Sequence, residues 1–520
     1  MIVHNNGTRD GRVMREAHAL QQAGHAVTVV GIPETGTTKA EEFLPDGVKV
    51  IRVPYERNRA FRIVVRSAIL AVLAVVVGYA LFRLYRMAPA ENFAAAWGRR
   101  LAASRNLAAL SASLLIFIVG LLAMVYVLRY VVARVWDHAA RRERERELLR
   151  RQLISETDER PLSVFFPAIR SRIPNWIPDW LLETITAPLV ILGVKFPSFS
   201  SYRHRSRMLA SAAIGLDPDA VHCHDCSALP TGWTVKKALG VPLVYDAHEI
   251  YEAVASRRFG ATDYFARVHA KYLPHVDGFI AVNDSAANYY RYAYPTAPRA
   301  TVIRNATEYT PAGTYDGRLH RAAGLPARQK IILYQGGFTK HRGLETLVRA
   351  GLLLPSDWSV VMMGKGPLLE TLKSIRSAGK VSFVSAVPPD ELLSWTQGAT
   401  VGIIPYEDTV LNHWIATPNK LWEYPNAGVP MIVQPFAELR RVVETYGCGW
   451  VLPQVFSAEA IANLVASLTP EMIEQAQSGC RRFIEADNWT VYRQRLLELY
   501  RKLEKQISKQ NVSAQLQPVL

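Results

Sequence analysis

Hydrophobic and polar positions along the chain keep one rhythm at first, lose it, and then recover it. From Ile2 the sequence gives a short apolar strand, then a polar loop from Asn5 to Asp10. Val13, Ala17 and Leu20 follow at the spacing of one buried helix face, and Gly24 ends that helix. Ala26 to Gly31 reads as the next strand and Gly47 to Pro54 (GVKVIRVP) as a third. Strand, helix, strand is how a doubly wound α/β domain begins.

The rhythm then breaks. Ser67 to Phe82 is a run of sixteen residues without a charge, and Leu107 to Leu128 a run of twenty-two. At about 1.5 Å per residue the second run covers the ~30 Å apolar core of a bilayer. The pair is expected to form a hydrophobic helical membrane insertion, with helices near 63–82 and 107–128. Re-entrant helices, surface-lying helices and a pair of buried core helices are the alternatives. Residues 137–155 are expected to form a strongly charged helix on the lipid surface or in solvent, and in residues 161–199 prolines and tryptophans, among them Trp176 and Trp180, alternate with apolar runs.

Regular α/β order resumes at Asp219. The segments DAVHCHD, PLVYDAHE and GFIAVND read as strands that each end in polar residues, the ends at which open parallel sheets carry their sites. A second α/β domain starts near Lys330 with IILYQGG and continues through WSVVMMGKGP, VSFVSAVPP, TVGIIPYED and VPMIVQP. The expected division is residues 1–59 with 196–310 for the N-terminal domain, 60–195 for the insertion and 311–485 for the C-terminal domain. A return helix at 486–505 and a disordered tail at 506–520 complete it.

Composition sharpens this reading at two points. The chain has 520 residues, 49% hydrophobic and 20% charged, with a formal net charge of +16. Arginines flank the apolar runs, Arg52 to Arg66 before the first and Arg134 to Arg151 after the second, which favours a membrane surface over nucleic acid as the partner. Four cysteines make no disulfide framework, and no segment has signal-peptide character. The expected location is the cytoplasmic membrane, with the soluble domains on the cytoplasmic side.

The richest segment chemically is TPNKLWEYPNAGVP. Thr417 suits a helix cap and Pro418 the first helical position, leaving the amides of Asn419 and Lys420 to face a phosphate. Lys420 adds a full charge, and Glu423 lies one turn after Asn419, where a carboxylate can accept both hydroxyls of a ribose. In YQGGFTKHRGLE, Gly336 and Gly337 let a ligand approach the backbone, with Lys340 and Arg342 in reach of a diphosphate. Gly364 and Gly366 make a turn after one strand, and Val387 closes another. In the first domain Asp10, Arg12, His222, His224, Asp225, Asp246, His248 and Glu249 all stand at strand ends, facing an acceptor cleft. HCHDC also has the residue types of a zinc site, but neighbouring strand residues point to opposite faces and no second cluster has metal spacing. Each feature has an ordinary structural reading too: Glu423 as a helix start, the glycines as turns, the histidines as satisfied core groups.

In their order, DGRVMREAHALQQAGHAVTVV, VHCHDCSALPTGW, VYDAHE, VIRNATE, YQGGFTKHRGLE, MMGKGPL, GIIPY and TPNKLWEYPNAGVPMIV resemble glycosyltransferase family 4. The likeness covers both α/β domains but not residues 60–195. It implies a GT-B fold, two Rossmann-like domains facing a cleft, and transfer of a sugar from a nucleotide donor, without a metal or other cofactor and with retention of anomeric configuration. It places Glu423 on the ribose, Gly364, Gly366 and Val387 around the base, and His224 beside the reacting sugar, with Arg342 and Lys420 on the leaving diphosphate. It also places Asn283 and Asn305 near the domain junction. Two positions depart from the family pattern. Ile415 stands where a glutamate commonly contacts the donor sugar, leaving that task to Asn412, His413 or Ala416, and Gly337 stands where an arginine is frequent. The apolar insertion, by its location alone, points to a lipid-linked acceptor, and a saccharide acceptor is the other expectation. An epimerase or phosphorylase on the same fold, or a membrane scaffold that has lost catalysis, are the competing readings.

Overall fold

The computed structural model describes residues 1–8, 10–33, 39–54, 199–253, 261–311, 313–375, 380–453 and 455–515. Strands β1 (Thr28–Gly31), β2 (Glu41–Phe43) and β3 (Lys49–Arg52) form one sheet edge, and β4 (Val221–His224), β5 (Leu243–Ala247), β6 (Gly278–Ala281) and β7 (Thr301–Val302) the other. Ile2 joins them, pairing in parallel with Val30 on one side and Cys223 on the other. Its amide donates to the His222 carbonyl at 2.7 Å, and the His224 amide donates to the Ile2 carbonyl at 3.1 Å. The first few residues therefore act as the strand that closes the sheet, the role their apolar pattern suggested.

The first helix, Gly11–Gln22, starts because the Asp10 carboxylate accepts from the amides of Arg12 and Val13. Val13, Ala17 and Leu20 are fully buried beneath it, as their spacing required. The same buried face carries Arg12 and Glu16, which makes this helix both a packing element and a bearer of charge.

The C-terminal lobe is built on β8 (Lys330–Gly337), β9 (Trp358–Lys365), β10 (Val381–Ser385), β11 (Val401–Ile404), β12 (Met431–Val433) and β13 (Gly449–Val451). All are parallel, in the order β10-β9-β8-β11-β12-β13. Helices cover both faces, so the strands read as unbroken apolar runs. The order reverses between β8 and β11, and the carboxyl edge of the sheet at such a reversal is where these folds take ligands. The edge strand β2 is short and polar and β13 only three residues long, so neither stood out in the sequence.

The chain passes between the lobes twice. It leaves β7 through residues 303–317 and comes back at Asp487–Trp489, where the Trp489 amide donates to the Thr307 carbonyl at 2.9 Å. Asp487 ties the crossing together. Its Oδ1 accepts from Trp422 Nε1 at 3.0 Å and from the Tyr492 hydroxyl at 2.9 Å, and its Oδ2 from Arg304 Nη1 at 3.0 Å. The final helix, Trp489–Gln515, then lies along the N-terminal lobe, placing Leu499 against Gly278 and the Tyr500 hydroxyl 3.0 Å from His222 Nδ1. It runs beyond the expected return helix into the stretch read as disordered.

The expected membrane insertion is corrected here. The helices anticipated near 63–82 and 107–128 lie outside the described residues, and among the described residues no helix is long and apolar enough to cross a membrane. The one of ample length, Trp489–Gln515, has 27 residues but carries Arg493, Arg495, Glu498, Arg501 and Lys502 within it. What stands is the two-lobed α/β architecture. A lipid-linked acceptor, which rested on the insertion alone, loses its ground.

Candidate functional site

Two groups of polar side chains meet where the lobes face each other. In the C-terminal lobe, Arg342 follows β8 and its guanidinium carbon lies 4.1 Å from the centre of the Tyr406 ring, which follows β11. Lys420 Nζ lies 5.7 Å from the same ring and 5.2 Å from that of Tyr334. Both cations thus rest on aromatic faces at the sheet's reversal point. Burial alone would lower the Lys420 ammonium, but the oxygens of Tyr406 and Tyr334 and the Glu423 carboxyl outweigh it and hold it above its ordinary value.

Close backbone contacts keep this arrangement open. Gly336 has φ +132°, and a β-carbon there would stand 2.9 Å from Lys420 Nζ. Gly343 has φ +65°, and its β-carbon would fall 2.0 Å from the Pro405 carbonyl, so only glycine lets the loops after β8 and β11 touch. At Gly337 the space is open, the nearest atom being Thr339 Cγ2 at 3.9 Å. Gly364 and Gly366 flank Lys365 at the end of β9, Val387 lies two residues past β10, and Lys340 is exposed on the loop after β8.

Glu423 is fixed from β8. Gln335 Nε2 donates to its Oε2 at 2.8 Å, while Thr396 Oγ1 donates to Gln335 Oε1 at 2.8 Å. Burial raises the Glu423 carboxyl, against the pull of Lys420 and Gln335. The helix begins later than the sequence suggested. It spans Lys420–Asn426, with Asn419 flanking it and no side-chain cap. Thr417 is buried and its Oγ1 accepts from Asn283 Nδ2 at 3.2 Å, so it serves the lobe junction instead of capping. Pro418 and Asn419 lead into the helix, Asn419 exposed.

Ile415 is 2% exposed, packed with Leu411 among apolar residues of the N-terminal lobe, and its carbonyl accepts from Asn283 Nδ2 at 2.7 Å. Asn412 also serves the junction. Its Oδ1 accepts from the Ile250 amide and its Nδ2 donates to the Ile250 carbonyl, each at 2.9 Å.

In the N-terminal lobe a buried ionic network lies under the site. Arg12 clasps Asp246 in bidentate fashion, Nε to Oδ2 at 2.6 Å and Nη2 to Oδ1 at 2.7 Å, and donates to the Ile303 carbonyl at 2.8 Å and to Asn305 Oδ1 at 3.2 Å. Burial works against both charges of this pair. Even so, Arg12 holds the Asp246 carboxyl well below the usual range, and Asp246 with Glu16 holds Arg12 above its own. Glu16 follows one turn after Arg12, and burial beside Asp246 pushes its carboxyl up to about 8.

His224, the histidine expected beside the reacting sugar, is fully buried, with Nδ1 3.2 Å from Asp246 Oδ2. His222 stacks on it with ring centres 4.3 Å apart, and burial lowers both imidazoles. His248 is the partly exposed member. Its Nδ1 lies 3.3 Å from Asp225 Oδ1 and its Nε2 3.1 Å from Asp246 Oδ2. Burial opposes its charge, but the two carboxylates outweigh it and raise His248 to about 9. The Asp225 carboxylate, on a residue with φ +69°, also accepts from the Tyr251 hydroxyl. Glu249 turns outward, and crowding by protein together with Asp225 pushes its carboxyl up to about 7.

Two sets of side chains among the described residues have the donor types of a metal site: Glu16, His222, His224 and Asp246, and Asp10, Asp225 and His248. In the first, the Arg12 guanidinium already sits on Asp246 as its cation. In the second, Asp225 Oδ1 faces His248 Nδ1 at 3.3 Å and accepts from the Tyr251 hydroxyl. Cys223 packs into the opposite face of the sheet and the Cys226 thiol donates to the Phe265 carbonyl, so neither joins the histidines.

Residues absent from the sequence expectations are Gln335, Tyr334, Tyr406 and Glu16. A glutamine interrupting the apolar run IILY, just before two glycines, was a signal for the first, and a glutamate one turn after an arginine on a buried helix face for the last.

The family profile described as Glycosyltransferase Family 4 matches residues 136–309, starting inside the stretch read as an insertion, and that of Glycosyl transferases group 1 matches residues 329–470. D-inositol 3-phosphate glycosyltransferase of Corynebacterium diphtheriae is 26% identical over 212 residues, 36% of this chain. The chain spans about half of that relative, 49% of its length. Sucrose-phosphate synthase from Thermosynechococcus elongatus superposes with a TM-score of 0.57 at 15% identity, over 97% of this chain and 98% of that one. That likeness is one of fold, the GT-B arrangement of two Rossmann-like lobes.

Proposed function

The chain belongs to the family 4 glycosyltransferases, and from that premise we propose that it moves a hexosyl group from a nucleoside diphosphate sugar to a hydroxyl of a saccharide acceptor. The observation that carries this reading is the convergence of Arg342 and Lys420 on the Tyr406 ring, with Glu423 one turn beyond Lys420 and held by Gln335. Two fixed cations suit a diphosphate, and a fixed carboxylate suits the paired hydroxyls of a ribose.

Cleavage of the bond between sugar and diphosphate gathers negative charge on the leaving phosphate. Arg342 and Lys420 are already in place, so they stabilise that charge without reorganising at the moment of reaction. Because Lys420 keeps its proton well above neutral pH, its charge is constant across the working range. These side chains supply the positive charge that a metal ion supplies elsewhere, in line with metal-independent transfer and with retention of configuration as the family resemblance implies.

The N-terminal lobe offers His248, Asp225 and Glu249 to the space above the donor. The buried Arg12–Asp246 pair orients His248 from below, which makes Asp246, Arg12 and His224 positioning residues.

Calorimetric titration of the full chain with UDP, GDP, ADP and dTDP tests the donor site. One of them should bind, and Glu423→Ala and Arg342→Ala should each weaken it by roughly tenfold or more. A wild-type chain that binds none of the four, or variants that bind as the wild type does, would sink the reading. The same titration separates a transferase from a scaffold without a donor site.

A further inference from the structure

We propose that the Glu249 carboxylate, delivered from the N-terminal lobe, hydrogen-bonds a hydroxyl of the sugar being transferred and so sets donor-sugar specificity. The inference rests on the donor-site reading above and extends it by one group.

The order of charged groups across the site carries the argument. Glu423, Lys420, Tyr406 and Arg342 follow one another along the C-terminal lobe, Lys420 and Arg342 sharing the Tyr406 ring. A nucleotide sugar with its ribose on Glu423 and its phosphates on Lys420 and Arg342 must place its hexose beyond Arg342. The carboxylate that the facing lobe brings to this segment is Glu249, whose Oε2 lies 3.3 Å from Nδ2 of Asn412, six residues after Tyr406.

Its setting suits a ligand contact. The backbone is anchored, since the Tyr290 hydroxyl donates to the Glu249 carbonyl at 2.8 Å, while the side chain stands exposed. Asn412 Nδ2, fixed on the Ile250 carbonyl, lies 3.3 Å from Glu249 Oε2 and sets the carboxyl's direction. Ile415, by contrast, is buried and can offer a hexose nothing polar. The exposed Glu249 carboxylate has acceptor lone pairs left for the hydroxyls of a sugar. Delivery from the opposite lobe also means that the hexose is recognised only when both lobes hold it.

The test compares nucleotides with and without the hexose. UDP, GDP, ADP and dTDP and their glucose, galactose, mannose and N-acetylglucosamine esters are titrated into wild-type chain, Glu249→Gln and Glu249→Ala, and donor hydrolysis without acceptor is followed in parallel. For the best wild-type pair, both variants should bind the bare diphosphate within about twofold of wild type. The sugar ester should weaken by about tenfold or more, with the same rise in KM for hydrolysis. Parallel weakening of diphosphate and ester, or unchanged hydrolysis with only the acceptor KM raised, would overturn the assignment. Failure of the wild type to bind any diphosphate would instead overturn the donor site, and this assignment with it.

Discussion

Changing Asp246 to asparagine removes the countercharge from a guanidinium that is 6% exposed. Arg12 loses two charge-assisted bonds, at 2.6 and 2.7 Å, and keeps only neutral acceptors, the Ile303 carbonyl and Asn305. Stranding one partner of a buried ion pair costs about 3–5 kcal/mol. Here the lower end is expected, about 3 kcal/mol, because Glu16 Oε1 stands 3.5 Å from Arg12 Nε and can give up its raised proton to take over part of the countercharge. Arg12→Met should cost a similar amount, since it leaves Asp246 buried with only His224 and His248. The double variant Arg12→Met with Asp246→Leu removes both charges and should cost less than the sum of the singles by at least about 1 kcal/mol. Urea unfolding of the full chain, followed by circular dichroism, measures all three. Strictly additive losses, or an Asp246→Asn loss below about 1 kcal/mol, would refute the view that this pair holds the N-terminal lobe together.

Three further outcomes follow from the site. Glu16 holds a proton up to about 8 in the folded chain against an ordinary 4.5, and His248 up to about 9 against 6.5. Both contributions are complete below the unfolded values and are lost as pH rises through the folded ones, so urea midpoints should fall between pH 4.5 and 9, and Glu16→Gln should flatten the part of that fall below pH 8. Gly336→Ala, whose β-carbon would meet Lys420 Nζ at 2.9 Å, should weaken diphosphate binding by roughly tenfold, while Gly337→Ala leaves it unchanged in the same titration. Ile415→Glu should lower stability by about 2 kcal/mol or more in thermal melting, because its carboxylate would be driven into an apolar junction, and should gain no donor affinity.

The apolar rhythm made most of the architecture readable, because parallel strands buried on both faces leave runs such as IILY and VVMM that few other structures produce. Glu423 and Lys420 stood out as charges at the start of a short helix and Arg342 as a cation beside Gly343, and the structure brings Lys420 and Arg342 to the same Tyr406 ring. The burial of His224 was not readable. A strand end looks exposed in sequence, but Arg12, from a helix more than two hundred positions away, draws Asp246 and the histidine beneath the surface. The cap at Thr417 failed likewise, because Asn283 of the other lobe competes for its hydroxyl. Local patterns show what a residue prefers, and the partner that outbids that preference comes from a distant segment.

The doubled passage at Thr307 and Trp489 has a mechanical consequence. Two bodies joined by a single cord can swing, slide and spin, but two neighbouring cords stitched to each other leave one easy motion, a swing about the line between them. With Asp487 knotting Trp422, Tyr492 and Arg304 at that line, opening should resemble a book turning on its spine.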